Sequence, residues 1–458
     1  MRNRYLYITL LSLLGFTPEA VAQGAAQAPQ LVVTIAVDQL RTDRMETYSP
    51  LYQPGGLRRL LAEGLVMPNA SYSFTPVDRA SATASLMTGT APYYNGVTGL
   101  EWLDRSTLRP QNIVNDRKYG ASPTQLATTT LGDELKIASN GIAKVYAFSS
   151  TAESAIMSAG HAADAAVWMS QGKWTVASYY TPTVQWLTWC TGQYPPAAQD
   201  QNRNITDLAL RCIEQSSIGQ NQQTDLLCVA YSVQQTEASY QLLDHNIADL
   251  INGIHSKVPR DRVLFVITGT GTTEEEREGE NDRFRIPTGK FYINRNANLL
   301  NMYLGAVYGT GVYVETCFQN QLFLNRKLID KRNIDIGEVL RRSQEFLLQL
   351  SGVRNVYTST QLMTSDNSLL ERIRNGFNVE KCGDLIIDVA PGWQLVNEDS
   401  HTSSISRVSN IPFPIIFFGA NIKPDRVMTP VTVDRIAPTV ARAIRIRAPN
   451  ACSAEPLF

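Results

Sequence analysis

Five short apolar runs, alternating with amphipathic stretches, constrain this chain more than any other feature. Leu31 to Val37 (LVVTIAV) is continuous and rich in β-branched residues, the mark of a strand covered on both faces. Residues 144–148, 226–231, 263–268 and 414–418 read the same way. Helical patterns lie between or beside them over residues 56–63, 204–215, 236–255 and 434–446. This alternation predicts an α/β fold, a mostly parallel sheet with helices on both faces. Ligands in such sheets sit beyond the carboxyl ends of the strands. The informative positions are therefore Asp38, Ser149–Ser150, Ser232, Gly269–Thr270 and the loop carrying His401.

The first residues read as an address rather than as structure. Arg2 and Arg4 precede an apolar run from Tyr5 to Phe16, and Ala20-Val21-Ala22 supplies small residues before a cut at Gln23, as in a secretory signal. The run is too short for a comfortable membrane span. The expectation is an exported chain, placed in the periplasm or on the outer surface of a bacterial envelope, with no span left after cleavage of residues 1–22. A net charge of −1 with both signs interspersed gives no basic surface for nucleic acid. The six cysteines include no C-x-x-C pair. Up to two disulfides are expected, with Cys228, inside an apolar run, more suited to a buried thiol.

Residues 284–382 depart from the core pattern, with more polar helices over 333–350 and 366–375 and a short strand near 312–315. They are expected to form a cap inserted into a core that spans 23–283 and resumes at 383–458. The acidic run from Glu274 to Glu280 suits a solvated loop.

Several blocks, in order from Leu31 to the C-terminus, resemble the alkaline-phosphatase superfamily. They are Val37-Asp38-Gln39-Leu40; Leu86-Met87-Thr88-Gly89 with Tyr94-Asn95-Gly96-Val97; Ser158-Ala159-Gly160-His161-Ala162-Ala163-Asp164; Gly383-Asp384-Leu385-Ile386 with Pro391-Gly392-Trp393; and Ile436-Ala437-Pro438-Thr439-Val440-Ala441 with Pro449-Asn450-Ala451-Cys452. The likeness is nearest to phosphatases with a threonine nucleophile and to nucleotide pyrophosphatase/phosphodiesterases. It implies an alkaline-phosphatase-like three-layer sandwich. It also implies in-line phosphoryl transfer by a Thr or Ser at a helix start, between two zinc ions roughly 4 Å apart.

The residues this chemistry needs are largely missing. The position matching the nucleophile is Arg79, whose guanidinium can neither attack nor bridge a metal; Ser81 and Thr83 are the nearest hydroxyls. Asp38 matches one ligand of the nucleophile-side metal, but the Asp-His pair expected after residues 263–268 has become Gly269 and Thr270. For the second metal, the loop after Tyr231 is shortened, and His401 is the residue that fits the remaining ligand loosely. The chain has four histidines in all, and His245 and His255 fall within a helical pattern. The phosphate-binding Lys and Arg of the resemblance are replaced by Thr151 and Glu153, and an expected Asn by Leu100.

Three readings follow. The first is an exported pseudoenzyme of the family, with Asp38 and His401 as vestiges of the metal sites, no cofactor, and a protein partner in the envelope. Within it, Arg79 either binds an anion or fills the emptied site by pairing with Asp38 or Asp78. The second is a zinc-dependent phosphatase or phosphodiesterase with a rearranged site drawn from Asp38, Asp78, His401 and Glu274 to Glu276. The third is a small-molecule or glycan binder using Tyr292, Tyr303, Tyr308 and Tyr313.

Overall fold

The computed structural model describes residues 27–197, 199–271, 288–405 and 411–458. The predicted signal over residues 1–22 and the acidic run 274–280 lie outside the described residues. Leu31–Asp38 forms the centre of a ten-stranded sheet. It pairs in parallel with Asp225–Ser232 on one side and Val263–Gly269 on the other. Val145–Ser149 and Ala165–Ser170 extend the parallel set.

All residues of the central strand are buried, and its side chains divide between two cores. Val32 and Ala36 face helices Arg79–Thr88, Ala152–Ala159 and Ile436–Ala443. Leu31, Val33, Ile35 and Val37 face Leu57–Glu63, Gln201–Ser216 and Glu237–His255. With a hydrophobic layer on each side, the run is apolar apart from the small Thr34, which is why it is nearly continuous. Truncating a large side chain here, such as Phe265→Ala, costs about 3–5 kcal/mol.

Two features of the sheet depart from the sequence pattern. The run at 414–418 is a strand, Phe413–Gly419, but it runs antiparallel to Val263–Gly269; an apolar run carries no sign of its direction. Beyond it lies Leu65–Ser71, a strand the pattern does not suggest, because Pro68 and Asn69 interrupt it. Pro68 has no N–H to give a ladder. Its carbonyl instead accepts from Thr42 Oγ1 at 2.6 Å, and the register to the next strand shifts between Phe413 and Ile415.

The cap begins at Gly289 and ends at Ile405. Val314–Phe318, Gln321–Leu324, Leu385–Val389 and Val353–Thr358 make a four-stranded antiparallel sheet. Helices Ile293–Tyr308 and Ile336–Leu347 share its own core with Val356 and Ile387. Gly289–Tyr292, Trp393–Asn397 and Thr402–Ile405 form a second, three-stranded sheet. The expected boundary at residue 383 is therefore corrected. Leu385–Val389 pairs within the cap, and the described main sheet resumes only at Phe413. The apolar spelling of 385–389 reports burial on one face and says nothing about which sheet supplies it.

Cap and core meet at Asp384, whose side chain is 1 % exposed. It accepts from Arg105 Nη1 of the core at 3.0 Å, from Arg326 Nη2 of the cap at 2.6 Å and from the Leu324 backbone N–H at 2.8 Å. Arg105 also donates to the Cys382 carbonyl at 2.7 Å and stacks on Phe323 at 4.8 Å. All six cysteines are free thiols, Cys228 among the buried ones. Among the described residues, no helix is long and apolar enough to cross a membrane.

Candidate functional site

The carboxyl ends of the central strands open on a small pocket lined by Asp38, Arg79, Thr83, Ser149, Ser232 and Thr270 among others. Asp38 ends its strand and is 8 % exposed. Arg79 opens its helix. Asp78 is the N-cap, accepting from the Ser81 backbone N–H at 2.9 Å, and Ser81 completes a capping box. This arrangement satisfies donors that a helix start otherwise leaves orphaned. Thr83 Oγ1 donates to the Arg79 carbonyl at 2.8 Å. Both candidate hydroxyls, Ser81 and Thr83, thus serve the helix backbone. Residues 80–88 are all buried and mostly small, so the helix lies close against its neighbours.

The pairing of Arg79 decides the character of the pocket. Its Nη1 lies 3.3 Å from Asp38 Oδ2, and its Nε lies 3.0 Å from Glu153 Oε1. The second contact is a charge contact without aligned hydrogen-bond geometry. Asp78, the other partner considered, is committed to the cap and to the Leu100 backbone N–H at 2.5 Å. Glu153 stands in the first turn of Ala152–Ala159. It stands where the resemblance puts a phosphate-binding cation and here balances a cation instead. Among the described residues, one guanidinium faces two carboxylates, so the charge of Arg79 is engaged by Asp38 and Glu153.

The other side of Asp38 is closed as well. Thr270 Oγ1 donates to Asp38 Oδ1 at 2.6 Å. At Gly269 a Cβ would lie 2.9 Å from Phe413 Cβ and 3.0 Å from its ring. A Cβ on Gly271 would meet the Phe413 and Tyr72 rings at 3.0 Å. Those rings lie 5.4 Å apart, and the Tyr72 hydroxyl donates to the Gly269 carbonyl at 3.0 Å. Burial, and then the Asp38 charge, push the Tyr72 phenol far above its ordinary range. Aromatic packing thus fills the space a side chain at 269 would need, while at 270 it is the threonine hydroxyl that reaches Asp38.

His401 lies elsewhere. It is exposed, with φ 54° in the turn between Trp393–Asn397 and Thr402–Ile405, and it does not line the pocket of Asp38. The structure does not bring the two vestigial ligands together. Among the described residues, no three His, Cys, Asp or Glu converge on one point. The shortened loop after Tyr231 is as expected: Thr236 caps Glu237–His255 soon after the strand ends. Glu274 to Glu276 lie outside the described residues. The four cap tyrosines do not share one platform among the described residues: Tyr308 and Tyr313 are paired with ring centroids 6.1 Å apart, Tyr303 stacks on Phe346 at 4.9 Å, and Tyr292 lies under Arg295 at 4.1 Å.

A family model described as type I phosphodiesterase / nucleotide pyrophosphatase matches residues 32–411. The chain belongs to that family. It is 25 % identical to a protein named calcium-transporting ATPase from Myroides odoratus, over 96 % of each chain. It is 23 % identical to alkaline phosphatase PafA of Elizabethkingia meningoseptica, over 94 % of each. The crystal structure of wild-type PafA superimposes with a TM-score of 0.80 at 22 % identity, covering 94 % of this chain and 99 % of that one. The α/β fold is thus the fold of PafA, and phosphate-ester hydrolysis is the activity the family's named phosphatases carry. The two zinc ions implied by the resemblance do not fit the groups around Asp38. Its oxygens meet a hydroxyl and a guanidinium, and the cation of Arg79 repels a dication at that spot.

Proposed function

We propose that this chain is a non-catalytic member of its family, which keeps the phosphatase scaffold as a binding subunit of an exported envelope assembly. One observation carries the reading. Arg79, at the start of the helix that would carry a nucleophile, is held between Asp38 and Glu153. Among the described residues, the position matched to the nucleophile carries a guanidinium instead of a hydroxyl, no metal-ligand set converges, and the cation of Arg79 is already paired. The fold beneath it is still fully specified, and a scaffold without its chemistry is suited to binding. Export rests on the signal read in residues 1–22, and the partner is a protein of the envelope.

The test is turnover of p-nitrophenyl phosphate and bis-p-nitrophenyl phosphate by purified protein, with and without added zinc, beside metal analysis of the same sample. The expected result is no stoichiometric zinc and no turnover that depends on Asp38. Hydrolysis abolished by Asp38→Ala overturns the proposal and restores the alternative that family membership favours, a phosphatase or phosphodiesterase with a rearranged site. A pull-down from envelope extract against an Arg79-intact bait is expected to recover one stable protein partner. Recovery of none removes the scaffold role.

A further inference from the structure

Residues 122–130 run between the short strand Gly120–Ala121 and helix Leu131–Ala138. Three contacts in their middle tie them to separate parts of the molecule. The Ala127 N–H donates to the Asn95 carbonyl at 2.9 Å. The Gln125 carbonyl accepts from Lys381 Nζ of the cap at 3.2 Å, and the same ammonium donates to the Gly96 carbonyl at 2.6 Å. The next carbonyl, that of Leu126, lies 3.1 Å from His161 Nε2. The segment is thus a strap that joins the block after helix Arg79–Thr88, the cap and the turn at His161.

The partners of His161 fix its protonation. Asp133 is buried, and both its oxygens accept. Its Oδ1 takes the His161 and Ala162 backbone N–H groups at 2.7 Å each, and its Oδ2 takes the Thr130 N–H at 2.8 Å. Burial pushes the Asp133 pKa up, but these bonds and that of the His161 ring bring the net shift down, so the group is a carboxylate. A carboxylate only accepts, so His161 Nδ1, 3.0 Å from Oδ2, must donate. A carbonyl only accepts as well, so Nε2 must donate to Leu126. Neutral imidazole carries one N–H and imidazolium carries two. Only the charged ring satisfies both contacts. In the neutral ring the single proton stays on Nδ1, facing the charged acceptor. The Nε2 lone pair then opposes those of the Leu126 carbonyl.

We propose that His161 is a pH-operated latch on this strap: as imidazolium it fastens Leu126 to the core, and on losing its proton it lets Leu126 go. The hydrogen bond from Asp133 holds the imidazole pKa above its ordinary value, against burial. The contact is therefore complete below about 6.5 and is lost as pH rises through the higher folded value. The surrounding charges are otherwise engaged. Glu134 pairs with Arg447 and Asp164 with Lys136. Asp116 accepts from Ser122 Oγ at 2.7 Å, and its hydrogen bonds keep its pKa low. Burial raises the Tyr179 and Tyr180 phenols, so both stay neutral. Lys381 is the other titrating group on the strap, with burial lowering its pKa to about 8. Its neutral amine still has two N–H groups for its two carbonyls, so those contacts survive its titration.

The test is hydrogen-exchange mass spectrometry of the full chain at about pH 6 and about pH 9, on either side of the histidine range. Protection factors remove the intrinsic pH dependence of exchange. In wild type, peptides covering residues 125–129 are expected to lose protection by about tenfold or more between the two, while the central strand Leu31–Asp38 keeps its own. In His161→Gln the strap is expected to exchange at both pH values as wild type does at the higher one. Equal protection of the wild-type strap at both pH values overturns the proposal. So does an undiminished pH dependence in His161→Gln, which would assign the effect to Lys381. Nitrogen NMR of labelled histidine in the wild-type chain gives a reading that needs no folded variant. Both ring nitrogens of His161 are expected to be protonated at the lower pH, and a neutral ring there overturns the latch.

Discussion

Asp38 and Asp384 are both buried carboxylates held by arginine, and they are held in opposite proportions. At the sheet edge, one guanidinium serves two carboxylates, Asp38 and Glu153. At the cap junction, one carboxylate serves two guanidiniums, Arg105 and Arg326. Among the described residues the first cluster sets two carboxylates on one cation, in the place where the family resemblance puts metal cations. The second ends with surplus positive charge, where two subdomains must be joined. The difference separates a cluster at the sheet's ligand edge from a joint between two subdomains.

The largest break in this comparison is expected at the joint. Asp384→Ala takes from Arg105 and Arg326 their shared buried partner; since their side chains are 24 % and 48 % exposed, solvent screens part of the loss, which should be about 2–4 kcal/mol in urea unfolding, with faster proteolysis near the cap boundary. A loss below about 1 kcal/mol would show that the cap is held by its apolar contacts alone. Arg79→Ala comes second. It strips both carboxylates of their partner, but Arg79 is 36 % exposed, so solvent screening reduces the cost to about 1–3 kcal/mol. The companion Arg79→Thr restores a hydroxyl at the helix start and should still give no turnover, because Phe413 keeps a side chain out of position 269. Appearance of phosphatase activity in that variant would show that Arg79 alone silences the site.

A smaller effect tests a polar pair that neither cluster includes. His161 Nδ1 lies 3.0 Å from Asp133 Oδ2, and its Nε2 lies 3.1 Å from the Leu126 carbonyl. The Asp133 hydrogen bond raises the imidazole pKa against the opposing effect of burial. For Asp133, burial pushes the pKa up, but the His161 and backbone hydrogen bonds outweigh it and the net shift is downward. A raised histidine contributes fully below its unfolded value near 6.5 and loses that contribution as pH climbs through the folded pKa. The stability gap between wild type and His161→Gln should be about 1 kcal/mol at pH 5.5 and shrink toward pH 8.5. A gap independent of pH would assign His161 to packing alone. The smallest effect should be that of a chelator: if the chain holds no metal, as proposed, Tm in EDTA is expected to match Tm without it within about 1 °C. A fall of several degrees would reinstate a metal.

Much of the sheet was legible because strands buried on both faces admit almost no polar residue, as from Leu31 to Val37. Leu65–Ser71 was not, since Pro68 and Asn69 mimic a turn while the carbonyl of Pro68 is satisfied by Thr42. The cap boundary was misplaced because Leu385–Val389 is spelled like a core strand. In the site, the sequence shows Arg79 at the position matched to the nucleophile and Gly269 and Thr270 at the positions matched to a ligand pair. Their contacts were hidden. No spacing links Arg79 to Glu153, or Thr270 to Asp38, and only the fold brings these distant residues within contact. His401, matched by order along the chain, proved to sit in a cap turn, because order does not fix where a loop points.

The strand Leu65–Ser71 also sets a timetable. Its described sheet partners are Phe413–Gly419, Asp425–Arg426 and Val431–Thr432, all made last when the chain is synthesised or threaded across a membrane from its N-terminus. Until they emerge, this strand carries an unpaired edge through the whole passage of the cap. Such edges invite wrong partners. Any interruption of delivery before Phe413 therefore yields a molecule whose cap can be complete while its main sheet waits open, and chaperone dependence should be greatest in that interval.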